Sequence, residues 1–104
     1  MLRRRYEILL PLRHNDGRPV SDDILNQTRE ELVERFDGVS IQPQSILGIW
    51  VHEGVLHEDT SVRLTVDVED SSENRLFFIE FKATLLQRFE QIEIYIVSYA
   101  LDIL

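Results

Sequence analysis

From Trp50 to Asp59 the chain reads Trp-Val-His-Glu-Gly-Val-Leu-His-Glu-Asp, the only local concentration of groups that do chemistry. Imidazole with carboxylate is a ligand set for zinc or nickel, with His52, His57 and Glu58 as the candidates. The same groups suit proton transfer near neutral pH, His52 or His57 shuttling and Asp59 or Asp67 orienting the ring. The spacing matches no established metal motif, and the helical HExxH pattern is absent. An acidic, histidine-bearing hairpin tip is ordinarily solvated surface. His14, beside Asn15 and Asp16 in a loop, is expected to face solvent. Ser21, Ser71 and Ser72 stand where helix caps belong, and no nucleophile, oxyanion hole or phosphate loop is evident. The sequence holds no cysteine, which removes disulfides, thiolate catalysis and sulfur-based zinc sites. No cofactor is expected.

The elements that must position these groups follow from periodicity. Arg5 to Leu12 alternates as a strand, with Tyr6, Ile8 and Leu10 on one face. Asp16-Gly17 marks a turn. A helix opens at Ser21, whose hydroxyl caps it, with Asp22 and Asp23 at the positive end of its dipole. Its stripe is Ile24, Leu25, Thr28, Leu32 and Phe36, and Gly38 is placed to close it in a left-handed conformation. Leu47, Ile49 and Val51, then Val62, Leu64, Val66 and Val68, alternate on two arms of a hairpin turned at Glu53-Gly54. Asp70-Ser71-Ser72-Glu73 reads as a capping box. The second helix carries Phe78, Phe81, Leu85, Leu86 and Phe89, widened by Phe77 and Ile79. Ile92 to Tyr99 reads as the last strand. The order predicts a ferredoxin-like β-α-β-β-α-β sandwich, one α+β domain over residues 1–104, with both helices on one face of a four-stranded antiparallel sheet.

The other face must meet water, a ligand or another subunit. With Glu53-Gly54 as the turn, Trp50 pairs with His57 and Val51 with Leu56. Trp50, His52, His57, Asp59, Arg63, Thr65 and Asp67 then point away from the helices, joined by Glu7, Leu9, Glu93, Tyr95 and Val97. The candidate binding residues on this face are Trp50, His52, His57, Asp59, Arg63 and Tyr95. This register turns Glu58 inward, a conflict that a bulge or a hairpin tip projecting past the helices would remove. The aromatic content of the face points to a homodimer or larger assembly. A monomer whose face is covered by the apolar end Ala100-Leu101-Asp102-Ile103-Leu104 is the competing arrangement.

With 104 residues, 43% apolar and 29% charged, the composition is that of a globular chain. The formal charge of −8 disfavours nucleic acid, which needs clustered cations. Arg3-Arg4-Arg5 is a charged lead-in to the first strand, and the stretch behind it is too short and interrupted for a secretory signal. No segment reaches the length of a membrane span, and a cytoplasmic location is expected.

Asp16-Gly17 with Val20-Ser21, then Arg35-Phe36-Asp37-Gly38-Val39-Ser40, Gly48-Ile49-Trp50, Gly54 with Glu58-Asp59, and Arg88-Phe89-Glu90-Gln91 stand in a suggestive order. That order resembles a group of small bacterial proteins of uncharacterised function, over nearly the whole chain. The resemblance implies a ferredoxin-like α+β fold and carries no activity, cofactor or site residue. The reading reached is a non-catalytic, homo-oligomeric binding or interaction module that uses the open sheet face and the 50–59 hairpin. Its alternatives are a cofactor-independent enzyme with a His proton shuttle, and a His/carboxylate metal-binding protein.

Overall fold

The computed structural model describes residues 2–104 as β1 (Arg3–Pro11), α1 (Asp22–Phe36), β2 (Ser40–His52), β3 (Val55–Glu69), α2 (Ser72–Arg88) and β4 (Ile96–Leu101). Met1, the first residue of the expected domain, lies outside the described residues. The strands form one sheet in the order β2-β3-β1-β4 with every pair antiparallel, the expected ferredoxin-like arrangement. Alternation puts Tyr6, Ile8 and Leu10 of β1 and Leu64, Val66 and Val68 of β3 on the helix side. There they are buried in one cluster with Leu32, Phe78, Phe81, Leu85 and Phe89. Tyr6 and Phe78 stack at 3.9 Å between ring centroids, which ties α2 to the middle of the sheet.

The helices are also bolted to each other. Arg88 donates to Thr28 Oγ1 at 3.0 Å and to Glu31 Oε1 at 2.6 Å, with its side chain only 13% exposed. Thr28 is fully buried because its hydroxyl is satisfied twice, donating to the Ile24 carbonyl and accepting from Arg88.

Several local expectations are corrected. Gly38 does not take the left-handed position at the end of α1. Asp37 does, at φ 63°, with its N–H donating to the Val33 carbonyl. The capping box is displaced by one residue: Ser71 caps α2 by accepting from the Asn74 amide, so Glu73 is not the reciprocal partner. The α2 terminus closes as a Schellman motif, with Glu90 N–H donating to Gln87 O and Gln91 N–H to Leu86 O. Ile92 to Tyr95 is not strand. Ile94 is buried in the core and Glu93 accepts from the Ile94 amide, so this apolar stretch packs instead of pairing. Ile79 is mostly exposed, outside the buried stripe of α2. His14 is buried rather than solvent-facing, its Nδ1 against the Phe89 carbonyl at 3.0 Å, which pins the first loop to the end of α2. The apolar C-terminus does not cover the sheet: Ile103 and Leu104 are exposed.

The largest departure concerns the hairpin. The turn at Glu53-Gly54 and the pairs Trp50↔His57 and Val51↔Leu56 are as expected. However, β1 pairs only with Ser61 to Glu69 of β3. Leu12 N–H still donates to the Thr60 carbonyl at 2.9 Å, and beyond it the segments Gly48–His52 and Val55–Asp59 pair among the described residues with each other alone and form a two-stranded arm. Leu47, Ile49 and Val51, which the expected alternation turns toward the helix side, are 63%, 60% and 65% exposed, because no described helix lies under the arm. Glu58, paired with Ile49, is exposed on the same side, which removes the conflict over its inward direction. A register shift between Gln42 and Ile46 separates the arm from the part of β2 that belongs to the sheet.

The cap and the ion pairs can each be tested. A left-handed aspartate at a helix C-terminus carries steric strain and an unfavourable charge against the dipole. Asp37→Gly is expected to stabilise the fold by about 1 kcal/mol, seen as a rise of about 4 °C in Tm; an unchanged or lowered Tm would show the cap to be unstrained. The second test concerns Asp67, whose carboxyl is held below the ordinary Asp range by its hydrogen bonds to Arg5 at 2.7 and 2.9 Å. A depressed folded-state pKa gives stability that is complete above the unfolded value, about 3.9, and lost as pH falls through the folded one. Wild type is therefore expected to melt above Asp67→Asn between pH 5 and 8, with the gap closing below about pH 4. A gap that persists in acid would assign the effect to packing.

Candidate functional site

On the face away from the helices, even-numbered residues of the arm's first strand meet odd-numbered residues of its second. Gly48 thus lies opposite Asp59, Trp50 opposite His57, and His52 opposite Val55. The Trp50 ring stacks on His57 with centroids 4.5 Å apart and planes at 19°. Its Nε1–H reaches along β3 and donates to Asp59 Oδ2 at 2.6 Å. Tryptophan carries a single donor, so this bond fixes the indole on the strand. Trp50 and Asp59 are half-buried while His52 is exposed, its Nε2 lying 3.8 Å from Glu53.

The lower part of the face is closed by its own polar pairs. Arg5 holds Asp67, Tyr99 donates to Glu7 at 2.7 Å, and Arg63 bonds Gln42 at 2.9 Å and lies 3.8 Å from Glu7. Arg4 pairs with Asp70 at 3.0 Å, so much of the basic run of β1 is engaged within the chain.

Between these two regions lies a cleft of about 350 Å³. Its floor is Gly48, Leu9 and Ser61, one wall is Trp50 with Asp59, and the other is the segment Gln91 to Tyr95. Three bonds hold that second wall in place. Leu9 N–H donates to the Tyr95 carbonyl at 3.0 Å, and Gln91 Nε2 donates to the carbonyls of Arg13 and Phe89. Glu93 accepts from Lys82 at 2.8 Å, and this contact lowers its pKa, so it stays charged at neutral pH.

Of the six candidate binding residues, the cleft brings together Trp50, Asp59 and Tyr95. His52 and His57 sit beyond it along the arm, and Arg63 lies below it in the ion-pair region. The His52 and His57 ring centroids are 6.4 Å apart, and Glu58 projects from the opposite face. Among the described residues, no three His, Cys, Asp or Glu side chains are grouped to hold a metal ion. The wall residues Gln91 and Ile94 escape sequence reasoning, because a cleft wall built from an irregular segment has no periodic signature. No helix among the described residues is long and apolar enough to cross a membrane.

No family model matches the chain, and no curated protein matches it in sequence. Solved structures do. The divalent cation tolerance protein CutA1 of Thermus thermophilus is 21% identical, with a TM-score of 0.61 over 97% of this chain and 84% of that one. CutA1 from Oryza sativa is 12% identical, with a TM-score of 0.65 over 98% and 82%. A phage SAM lyase, solved in complex with S-methyl-5′-thioadenosine, is 14% identical, with a TM-score of 0.65 over 97% and 90%. At these identities the likeness is one of fold, and the chain has the ferredoxin-like fold of the CutA1 proteins.

Proposed function

We propose that the chain is a cytoplasmic, homo-oligomeric binding module in which the β2–β3 arm joins copies and the cleft at its root takes a small ligand. The observation that carries this reading is the arm itself. Leu47, Ile49, Val51, Val55 and Leu56 are each 57–65% exposed along a hairpin that, beyond the Leu12 N–H on the Thr60 carbonyl, pairs among the described residues only within itself. A two-stranded ribbon alone is marginal in water, and an exposed edge with apolar side chains is a template for association. A second copy offers the same surface, and a dimer is the smallest closed form it can give. The cysteine-free composition fits a reducing compartment.

Divalent cation tolerance is the named property of the CutA1 proteins. For this chain a cation reading would rest on His52 and His57, with further ligands supplied by another copy. A His proton shuttle is equally secondary, since neither imidazole lines the cleft.

Size-exclusion chromatography with light scattering tests the assembly. Wild type is expected to elute as a closed oligomer at micromolar concentration. Ile49→Lys with Leu56→Glu interrupts the apolar face at its middle while leaving favourable charges across the hairpin, Ile49 being opposite Glu58. Losing two buried apolar side chains costs roughly 3–6 kcal/mol per interface, so association should weaken at least about 100-fold, with the circular dichroism spectrum unchanged. A monomeric wild type, or a double variant that assembles as wild type does, would overturn the reading.

A further inference from the structure

The residues of the cleft point to one class of ligand, and we infer that it binds a small organic cation with a flat apolar body, such as an aryl ammonium or a cationic heterocycle. This rests on the reading of the chain as a binding module and names what the module binds.

Four observations carry it. The volume, about 350 Å³, is in the range of small-molecule sites. No Lys, Arg or His lines the cleft, whereas Asp59 and Glu93 both do. Glu93 is neutralised by Lys82, but Asp59 has no ion-pair partner among the described residues. It accepts from the neutral Trp50 N–H, and a carboxylate keeps further acceptor sites after one such bond. The carboxylate thus stands at the cleft with its charge uncompensated. Third, two aromatic residues, Trp50 and Tyr95, line the cleft, and a cation against such a ring is attracted by its quadrupole. Fourth, the net charge of −8 favours approach of cations over anions.

The floor gives the specificity control. Gly48 has no positive φ, and a Cβ built there meets only the Asp59 carbonyl at 3.9 Å, an ordinary contact. A side chain at this position therefore fills the cleft without straining the backbone. Trp50 is the only tryptophan of the chain, so its emission reports on the site directly.

The experiment titrates Trp50 fluorescence with benzyltrimethylammonium, benzyl alcohol and benzoate, following oligomeric state by light scattering in the same samples. A saturable change is expected with the cation, at least tenfold weaker binding with the alcohol, and none with benzoate. Asp59→Asn, which keeps an acceptor for Trp50, is expected to weaken cation binding at least tenfold, and Gly48→Val to abolish it. The inference is overturned if the cation gives no saturable change at millimolar concentration. It is equally overturned if the alcohol or benzoate matches the cation, or if both variants bind as wild type does. Assembly without cation binding would fail the ligand class alone; cation binding by a monomer would fail the assembly alone.

Discussion

β3 is 15 residues long and β1, its neighbour in the sheet, is 9. That mismatch sets the shape of the molecule. The helices can cover only the part of the sheet that β1 completes, because Tyr6, Ile8 and Leu10 supply the floor on which α1 and α2 pack. Beyond Ser61 the hairpin continues with no third strand and no helix among the described residues, and the longest dimension of the fold reaches 43 Å against 30 and 25 Å for the others. The side chains on the arm keep the strand alternation of the sheet below, so an apolar row suited to burial emerges into solvent.

The cleft is a product of the same geometry. Where the arm leaves the sheet, Gly48 omits a side chain and Trp50 is turned down onto Asp59. The chain between α2 and β4 then rises alongside, held by the backbone bond from Leu9 to Tyr95 and by the Gln91 side chain. The site is thus assembled from a strand, a hairpin and an irregular segment. The strand and hairpin are positioned by backbone pairing and the irregular segment by one backbone bond and the Gln91 side chain, which together hold the shape of the cleft.

Much of this is legible in the sequence, and the limits have physical causes. The element order, the Ser21 cap, the hairpin turn and the pairing of Trp50 with His57 all follow from local rules: strand period, cap chemistry and the demand for positive φ at Glu53-Gly54. The fate of Leu47, Ile49 and Val51 is not legible, because alternation says which side of a sheet a residue faces and not whether anything lies there. Ile92 to Tyr95 resembles a strand since a buried Ile94 gives the same apolar signal whether it pairs or packs. Glu90 and Asp37 take left-handed positions that propensity assigns to glycine, the helix ends being set by tertiary contacts. Trp50, Asp59 and Tyr95 are found through register, while the exclusion of His52 and His57 from the cleft depends on how far along the arm each one sits.

Whether the arm is covered by another copy in solution, as proposed, is read directly by amide hydrogen exchange of residues 46–58. In an uncovered two-stranded ribbon the outward-facing amides of β2 exchange at close to free-peptide rates. Protection across Ile46–Val51 is expected at micromolar concentration and declines on dilution, while β1 and the Ser61–Glu69 part of β3 stay protected throughout. Rapid exchange along the whole arm at every concentration would contradict it.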